Sequence, residues 1–251
     1  MGLSSVKTLN ELLKNPETHE LLQYLGHIPL DKQNRNSFSL AQKTNFWKIT
    51  VRLYEKWRFR SASLLSKKVL DFEQECAIMQ EWIQLQPQDL ILDVGSSTGL
   101  YARCLKQYAD SNHIPVQIAG TDISPNFVRF ANKQIDKEKL SDTRVYVMDT
   151  TQLPFKNDTF DKIIIGGSFN EISHYEKAIQ EWCRVLKKGG LLFCMNLVYS
   201  RKKTLLMRLL ALSGIHIHTP NEMKTFFHNA GFTQIQTQIH HHLQLALYQK
   251  S

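Results

Sequence analysis

The run Leu90-Ile91-Leu92-Asp93-Val94-Gly95-Ser96-Ser97-Thr98-Gly99 decides how the rest of the chain is read. Its first five residues are apolar apart from one carboxylate, the composition of a short strand buried on both faces. The next five are small, with glycine at each end, and suit a tight turn into a helix running from about Gly99 to Tyr108. Such a turn lets a ligand approach the backbone closely and presents free N–H groups at the start of the helix. A tight turn with no ligand is the alternative at this point. Gly95-x-x-x-Gly99 does not supply the G-x-G-x-x-G of a dinucleotide fold, and the Gly-Lys-Ser/Thr of a P-loop is absent, so phosphate is not the guest indicated.

The same alternation of helix and strand extends to either side. Upstream, Glu73 to Leu85 is amphipathic, with Cys76, Ala77, Met79, Trp82 and Ile83 at its apolar positions. Downstream, strands are expected over Val116–Gly120, Arg144–Met148, Asp161–Ile165 and Leu191–Leu197. Ser124-Pro125 opens a helix, with serine as cap and proline at the first position, where a missing N–H costs nothing. Ser173-His174-Tyr175-Glu176 and Thr219-Pro220-Asn221-Glu222 read as capping boxes. The helix begun at Ser173 is expected to end on Lys187-Lys188-Gly189-Gly190, and the one begun at Thr219 to run to Gly231. Alternating segments over Thr233–Ile239 and His242–Tyr248 close the chain as a hairpin. The expected fold is α/β: a doubly wound, seven-stranded, mostly parallel sheet, Rossmann-like, with a C-terminal antiparallel hairpin and an N-terminal helical extension. The domain reading is an extension over 1–72 and a main domain over 73–251 carrying an insertion at 199–218.

In such a sheet ligands bind at the carboxyl ends of the strands, where the strand order reverses. Strand two runs into Thr121-Asp122-Ile123, and a carboxylate there can accept from both hydroxyls of a ribose. Strand three ends at Asp149-Thr150, followed by Gln152-Leu153-Pro154-Phe155. That carboxylate can accept from an adenine amino group while Leu153 covers a ring face. Three acidic strand ends in succession say more than any one of them.

On these residues the chain resembles the class I S-adenosylmethionine (SAM)-dependent methyltransferases. Leu90 to Gly99 is similar to their first motif, Asp122 to their ribose-binding acidic residue, and Met148-Asp149-Thr150 with Leu153-Pro154-Phe155 to their adenine-side motif. Arg184-Val185-Leu186-Lys187-Lys188-Gly189-Gly190 resembles the Arg-Val-Leu-Lys-Pro-Gly-Gly run of the ubiquinone/menaquinone C-methyltransferase-like branch (methyltransferase domain type 11). Asn229-Ala230-Gly231-Phe232 matches that branch's ending of the last helix. The resemblance spans roughly residues 73 to 250. It implies S-adenosylmethionine as cofactor, held by Asp93, Gly95, Ser96, Ser97, Thr98, Gly99, Asp122, Ile123, Asp149, Thr150 and Ser168. Ser97 stands where the motif usually has its central glycine, so a reshaped turn or a weaker hold on cofactor is expected there.

The methyl acceptor is expected above the loop after strand four, Gly166 to His174, where Asn170, Glu171 and His174 are the candidate catalytic groups. Glu171 or His174 would serve as base if the nucleophile must lose a proton. Trp47, Tyr54 and Trp57, at helical spacing in a basic segment, are either a lid over the site or core. The segment Tyr199–His218 joins Arg201, Lys202, Lys203 and Arg208 to six large apolar residues, as a pocket wall, a membrane-surface helix or simple packing would. His240-His241-His242 reads as the turn of the final hairpin, and no metal is expected there.

Composition narrows the classes. With 42% hydrophobic and 22% charged residues, the chain of 251 residues has enough apolar material for a real core. The formal net charge of +8 is split, with +7 over residues 1–70, −4 over 71–198 and +5 over 199–251. Basic flanks on an acidic middle suit a nucleic acid, an anionic lipid or an acidic substrate, or are a solvated face. Ser168-Phe169-Asn170-Glu171 lacks the Asn/Asp-Pro-Pro-Tyr/Phe signature of amino-methylating nucleic-acid enzymes and argues against base methylation. Four scattered cysteines and no secretory h-region fit a reducing compartment, so the expected location is cytoplasmic, with peripheral contact to an anionic membrane. Gly2 lacks the Ser or Thr that myristoylation wants, having Val6 instead. The reading that follows is a SAM-dependent methyltransferase acting on a small lipophilic acceptor, quinol- or isoprenoid-like. The alternatives are a nucleic-acid or protein methyltransferase using the basic flanks, and a SAM-binding protein without turnover.

Overall fold

The computed structural model describes residues 51, 54–56, 58–60, 65, 66, 69–199, 210–212 and 214–251. Expectations for residues 1–50, for Trp57, and for the basic and apolar residues at 201–209 fall outside them. Residues 51, 54–56 and 58–60 are helical, as the aromatic and basic pattern predicts.

The elements then run α1 (Phe72–Ile83), β1 (Leu90–Val94), α2 (Leu100–Ser111), β2 (Gln117–Asp122), α3 (Pro125–Lys137), β3 (Thr143–Val147), β4 (Phe160–Gly166), α4 (Tyr175–Val185), β5 (Leu186–Leu197), α5 (Pro220–Asn229), β6 (Phe232–His240) and β7 (Leu243–Lys250). They form a seven-stranded sheet in the order β3-β2-β1-β4-β5-β7-β6. β1 pairs in parallel with both β2 and β4, while β7 is antiparallel to β5 and β6. The order reverses between β1 and β4, which puts the ligand crevice above the carboxyl end of β1.

All five residues of β1 are buried, because helices cover both faces of the sheet. Ile91 and Ile164 point into the layer formed with α1 and α2, where Met79, Trp82 and Leu105 pack. Leu92, Ile163 and Ile165 point the other way, against Ile179 and Trp182 of α4 and Phe227 of α5. Phe227 lies nearly parallel on Tyr248, 4.0 Å between centroids, and ties α5 to β7, the inner strand of the hairpin.

Local capping follows sequence at two helices and departs from it at two points. Ser124 caps α3, and Thr219 and Glu222 form a reciprocal box on α5; on α1 Asp71 with Gln74 forms a further box, beyond those expected from the sequence. The box expected at Ser173 does not form. Phe169–Glu171 makes a short 3-10 turn first, and His174 becomes the N-cap with no side-chain bond to the helix. The expected helix end at Lys187–Gly190 is also displaced, since α4 stops at Val185 and those residues belong to β5. Leu186 pairs with Phe160 and Leu191 with Lys162, so the lysine–glycine run bulges out of the strand opposite Asp161. Gly189, at φ +73°, provides the left-handed residue that the bulge needs.

Of the two edge strands, β3 is closed by a side chain. Asn132 of α3 donates to Val145 O and accepts from Val145 N, both at 2.9 Å, so it stands in for a missing neighbour strand. Asn132→Ala leaves that N–H and C=O without their partner. Chemical denaturation should show a loss of about 1–3 kcal/mol, with unchanged m-value and unchanged overall helix content.

Candidate functional site

Above the carboxyl ends of β1 to β4 lies a cavity of about 370 Å³. That falls in the range of small-molecule sites, roughly 300–1,000 Å³. Gly95, Ser97, Asp122, Ile123, Asp149, Thr150 and Ser168 of the expected cofactor set line it, together with Glu171 and His174 of the catalytic set.

The turn after β1 forms its floor. Gly95 has φ +63°, and a Cβ there would come within 2.2 Å of Ser168 Oγ, so the loops after β1 and β4 touch only because this residue is glycine. Ser168 Oγ in turn donates to Val94 O at 2.9 Å. Ser97 has φ +51°, a left-handed backbone that glycine adopts without strain and a serine seldom does.

Asp122 is fixed by two backbone donors: Ser97 N–H to Oδ2 and Ser124 N–H to Oδ1, each at 2.8 Å. A carboxylate offers about four lone-pair sites, so each oxygen retains capacity to accept a hydroxyl. Burial pushes the Asp122 carboxyl up to about 6, opposed by these two amides. Asp149 Oδ1 accepts from Thr151 N and Thr151 Oγ1, both at 2.8 Å, which orients the carboxylate at the end of β3. Thr150 Oγ1 accepts from Trp182 Nε1 at 2.6 Å, linking this loop to the core beneath α4.

The remaining expected residues lie behind the cavity wall. Asp93 is buried, its Oδ2 has no hydrogen-bond partner, and burial pushes its carboxyl up to about 7. Ser96 Oγ donates to Asp93 O at 2.9 Å, and a Cβ on Gly120 would come within 2.5 Å of Ser96 Oγ, so Ser96 shapes the turn from below. Thr98 is fully buried, and Gly99 is the left-handed N-cap of α2. Leu153, expected over a ring face, is instead 1% exposed in the core, and the apolar lining near Asp149 comes from Ile123 and Met148.

Asn170 is corrected most clearly. Its Nδ2 donates to Leu197 O at 3.0 Å and to His216 O at 2.6 Å, and its Oδ1 accepts from Leu197 N at 2.7 Å. Its own carbonyl accepts from His216 N at 2.7 Å. Asn170 therefore fastens the chain around His216 to the end of β5, with its side chain spent on that bond set and absent from the cavity lining. A polar residue in the right loop looked catalytic because sequence shows position along the chain, not side-chain direction.

Lys177 was missed by sequence reasoning. It lines the cavity one helical turn beyond His174, and that i, i+3 spacing at the start of α4 was the available signal. Tyr54, a residue of the helical segment before α1, also lines the cavity. Among the described residues no group of three His, Cys, Asp or Glu could hold a metal ion. His241, at φ +57°, makes the hairpin turn, and His242 is buried with Nδ1 3.3 Å from Val198 O.

The seven-stranded sheet with its antiparallel β7 is a fold shared with solved methyltransferase structures. Residues 92–194 match the family described as a methyltransferase domain. A demethylmenaquinone methyltransferase of Thermus thermophilus is 33% identical over 106 residues, which is 42% of this chain and 46% of the relative. This chain spans less than half the length of the curated relatives it matches. A SAM-dependent methyltransferase from Aquifex aeolicus superposes with a TM-score of 0.63 at 17% identity, covering 82% of this chain and all of that one. Phosphoethanolamine N-methyltransferase 2 of Haemonchus contortus, solved with phosphomonomethylethanolamine and S-adenosylhomocysteine, superposes with a TM-score of 0.65 at 19% identity over 79% of this chain and 45% of that one.

The bond set of Asn170 makes a direct forecast. Asn170→Ala should lower stability by about 1–3 kcal/mol and raise hydrogen exchange at residues 214–218. An unchanged exchange rate there would contradict the fastening role.

Proposed function

We propose that the chain is a SAM-dependent methyltransferase whose acceptor is a small lipophilic molecule, of the quinol or isoprenoid kind. The observation that carries the cofactor reading is Asp122, a buried carboxylate at the end of β2 held by two backbone amides and facing the cavity. A ribose diol is the donor pair that such a carboxylate accepts. Asp149 at the end of β3 suits an adenine amino group, with Ile123 and Met148 against the ring, and Gly95 and Ser97 leave the backbone bare for the amino-acid end. Asp93, Ser96, Thr98 and Gly99 act from behind by setting the shape of that turn. The residues present therefore fit the cofactor, which when bound supplies a methyl group activated by its sulfonium.

The chain's own contribution is to bind, orient and exclude water. Holding donor and acceptor in line can lower the barrier by about 7–11 kcal/mol at best. Glu171 and His174 stand at the acceptor side, and either can take a proton from a hydroxyl nucleophile. Lys177 beside them can stabilise the oxyanion left behind. The lipophilic class of acceptor is supported by the demethylmenaquinone and ubiquinone/menaquinone methyltransferases among the relatives. Among the described residues no helix is long and apolar enough to cross a membrane. The segments 1–72 and 199–218 are proposed as accessory to the main domain over 73–251, and the proposed setting is cytoplasmic, with peripheral contact to a membrane.

Calorimetry with S-adenosylmethionine tests the proposal: wild type should bind in the micromolar range and Asp122→Ala should lose binding. Absence of binding to wild type would refute the enzyme reading. The pH dependence has a definite sign. The Asp122 carboxyl sits near 6 in the free protein, so acidification protonates it and removes its acceptor capacity. Affinity should hold above pH 7 and fall about tenfold by pH 5, since each unit below the pKa costs one decade of ionised carboxylate.

A further inference from the structure

Tyr54 reaches the cavity from outside the main fold, and the way it is held is unusual. Its ring meets Phe127 of α3 edge-on at 5.1 Å between centroids. Its hydroxyl lies against the Ser97 side chain, within the field of the Asp122 and Glu171 carboxylates. These belong to the cofactor side and the acceptor side of the cavity respectively, so Tyr54 stands at the junction of the two. Burial pushes the phenol up to about 12, and it is a neutral hydrogen-bonding group at physiological pH.

One helical turn further on, Arg58 enters the protein interior. It is 5% exposed, and its Nη2 donates to Glu75 Oε2 of α1 at 2.6 Å; Glu75 is fully buried. The same nitrogen donates to the Tyr101 hydroxyl of α2, and that hydroxyl donates to Glu75 Oε2 at 2.7 Å. The guanidinium also lies 5.5 Å from the Tyr101 ring centroid and 5.8 Å from that of Phe72. Tyr101 lies across the end of β4, where a Cβ on Gly166 would come within 2.1 Å of its ring. Glu55, next to Tyr54, pairs with Arg103 of α2 at 2.8 Å.

A buried ion pair is a costly way to hold a helix, since desolvation offsets most of its attraction. What it provides is geometry: residues i and i+4 share a helix face, so fixing Arg58 fixes Tyr54. Ser97 completes the match, because the usual glycine would offer Tyr54 no hydroxyl.

We propose that Tyr54 contacts bound S-adenosylmethionine where the cofactor half of the cavity meets the acceptor half, and that the Arg58–Glu75–Tyr101 cluster is the clamp that positions it. This rests on the methyltransferase reading and adds a fixed wall to it. The segment before α1 is part of the cofactor site, and Arg58 is a positioning residue that acts through Tyr54.

The test is calorimetric binding of S-adenosylhomocysteine and S-adenosylmethionine to the full chain, beside thermal unfolding of each variant. Tyr54→Phe keeps the ring and should weaken binding about five- to tenfold, the worth of one hydrogen bond. The paired variant Arg58→Met with Glu75→Gln removes the clamp without leaving a buried charge, and should weaken binding by a similar factor. Adding Tyr54→Phe to it should produce little further loss, because the contact is already gone. A structural role alone would lower the melting temperature and leave the two effects on affinity multiplicative. Wild-type binding with Tyr54→Phe unchanged overturns the contact, and multiplicative losses overturn the clamp. If the paired variant does not fold, Tyr54→Phe alone decides the contact, and Arg58→Lys, which keeps charge but loses the planar fork, decides the clamp by the same comparison. Failure of wild type to bind either ligand overturns the methyltransferase reading itself, which Tyr54→Phe cannot do.

Discussion

At the reversal point of the sheet two loops touch with no room between them for a methyl group. A Cβ on Gly95 would overlap Ser168, so the turn after β1 and the loop after β4 close on each other only through a glycine. That approach forms the floor of the cavity. It aligns the free amides of the turn with the end of β2, where Ser97 N–H reaches Asp122. Proteins are packed too densely for such a contact to relax by small shifts, so the glycine constrains everything above it.

The acidic strand ends are held at a cost. Burial raises the carboxyls of Asp93 and Asp122 well above their usual range, so in the free protein each ionised form is disfavoured. Below about pH 4 both are protonated in folded and unfolded chains alike and the cost vanishes; it grows as pH rises through the folded values and is complete above them. A ligand that brings hydroxyl donors and positive charge offsets that cost. Sites whose electrostatics are unfavourable when empty are where function concentrates. The carboxylates, the left-handed Ser97 and the orphaned Asp93 oxygen all lie around one turn.

The cavity has two halves of different character. Asp122 and Asp149 are fixed by short backbone or neighbouring side-chain bonds. On the other side, His174 and Lys177 are exposed at the start of α4, a helix without a side-chain cap. A rigid half beside a more open half suits one constant ligand and one that varies between proteins of the fold. The fold alone therefore says more about the first than about the second.

By itself the sequence determined the strand–turn–helix alternation, the strand-end carboxylates and the caps at Ser124 and Thr219. Each of these is a local pattern whose physics acts within a few residues. Burial on two faces makes β1 apolar, and a serine before proline starts a helix whatever lies far away. Only the tertiary structure decided which side chains meet. Asn170 turned from the cavity to bind Leu197 and His216, Leu153 sank into the core, and Lys177 came round beside His174. The lysine–glycine run left its helix for a bulge because β4 and β5 pair around it. Tyr54 reached Ser97 across 43 residues of chain because Arg58 found Glu75 and Tyr101. Those pairings depend on direction and distance in space, which no pattern along the chain encodes.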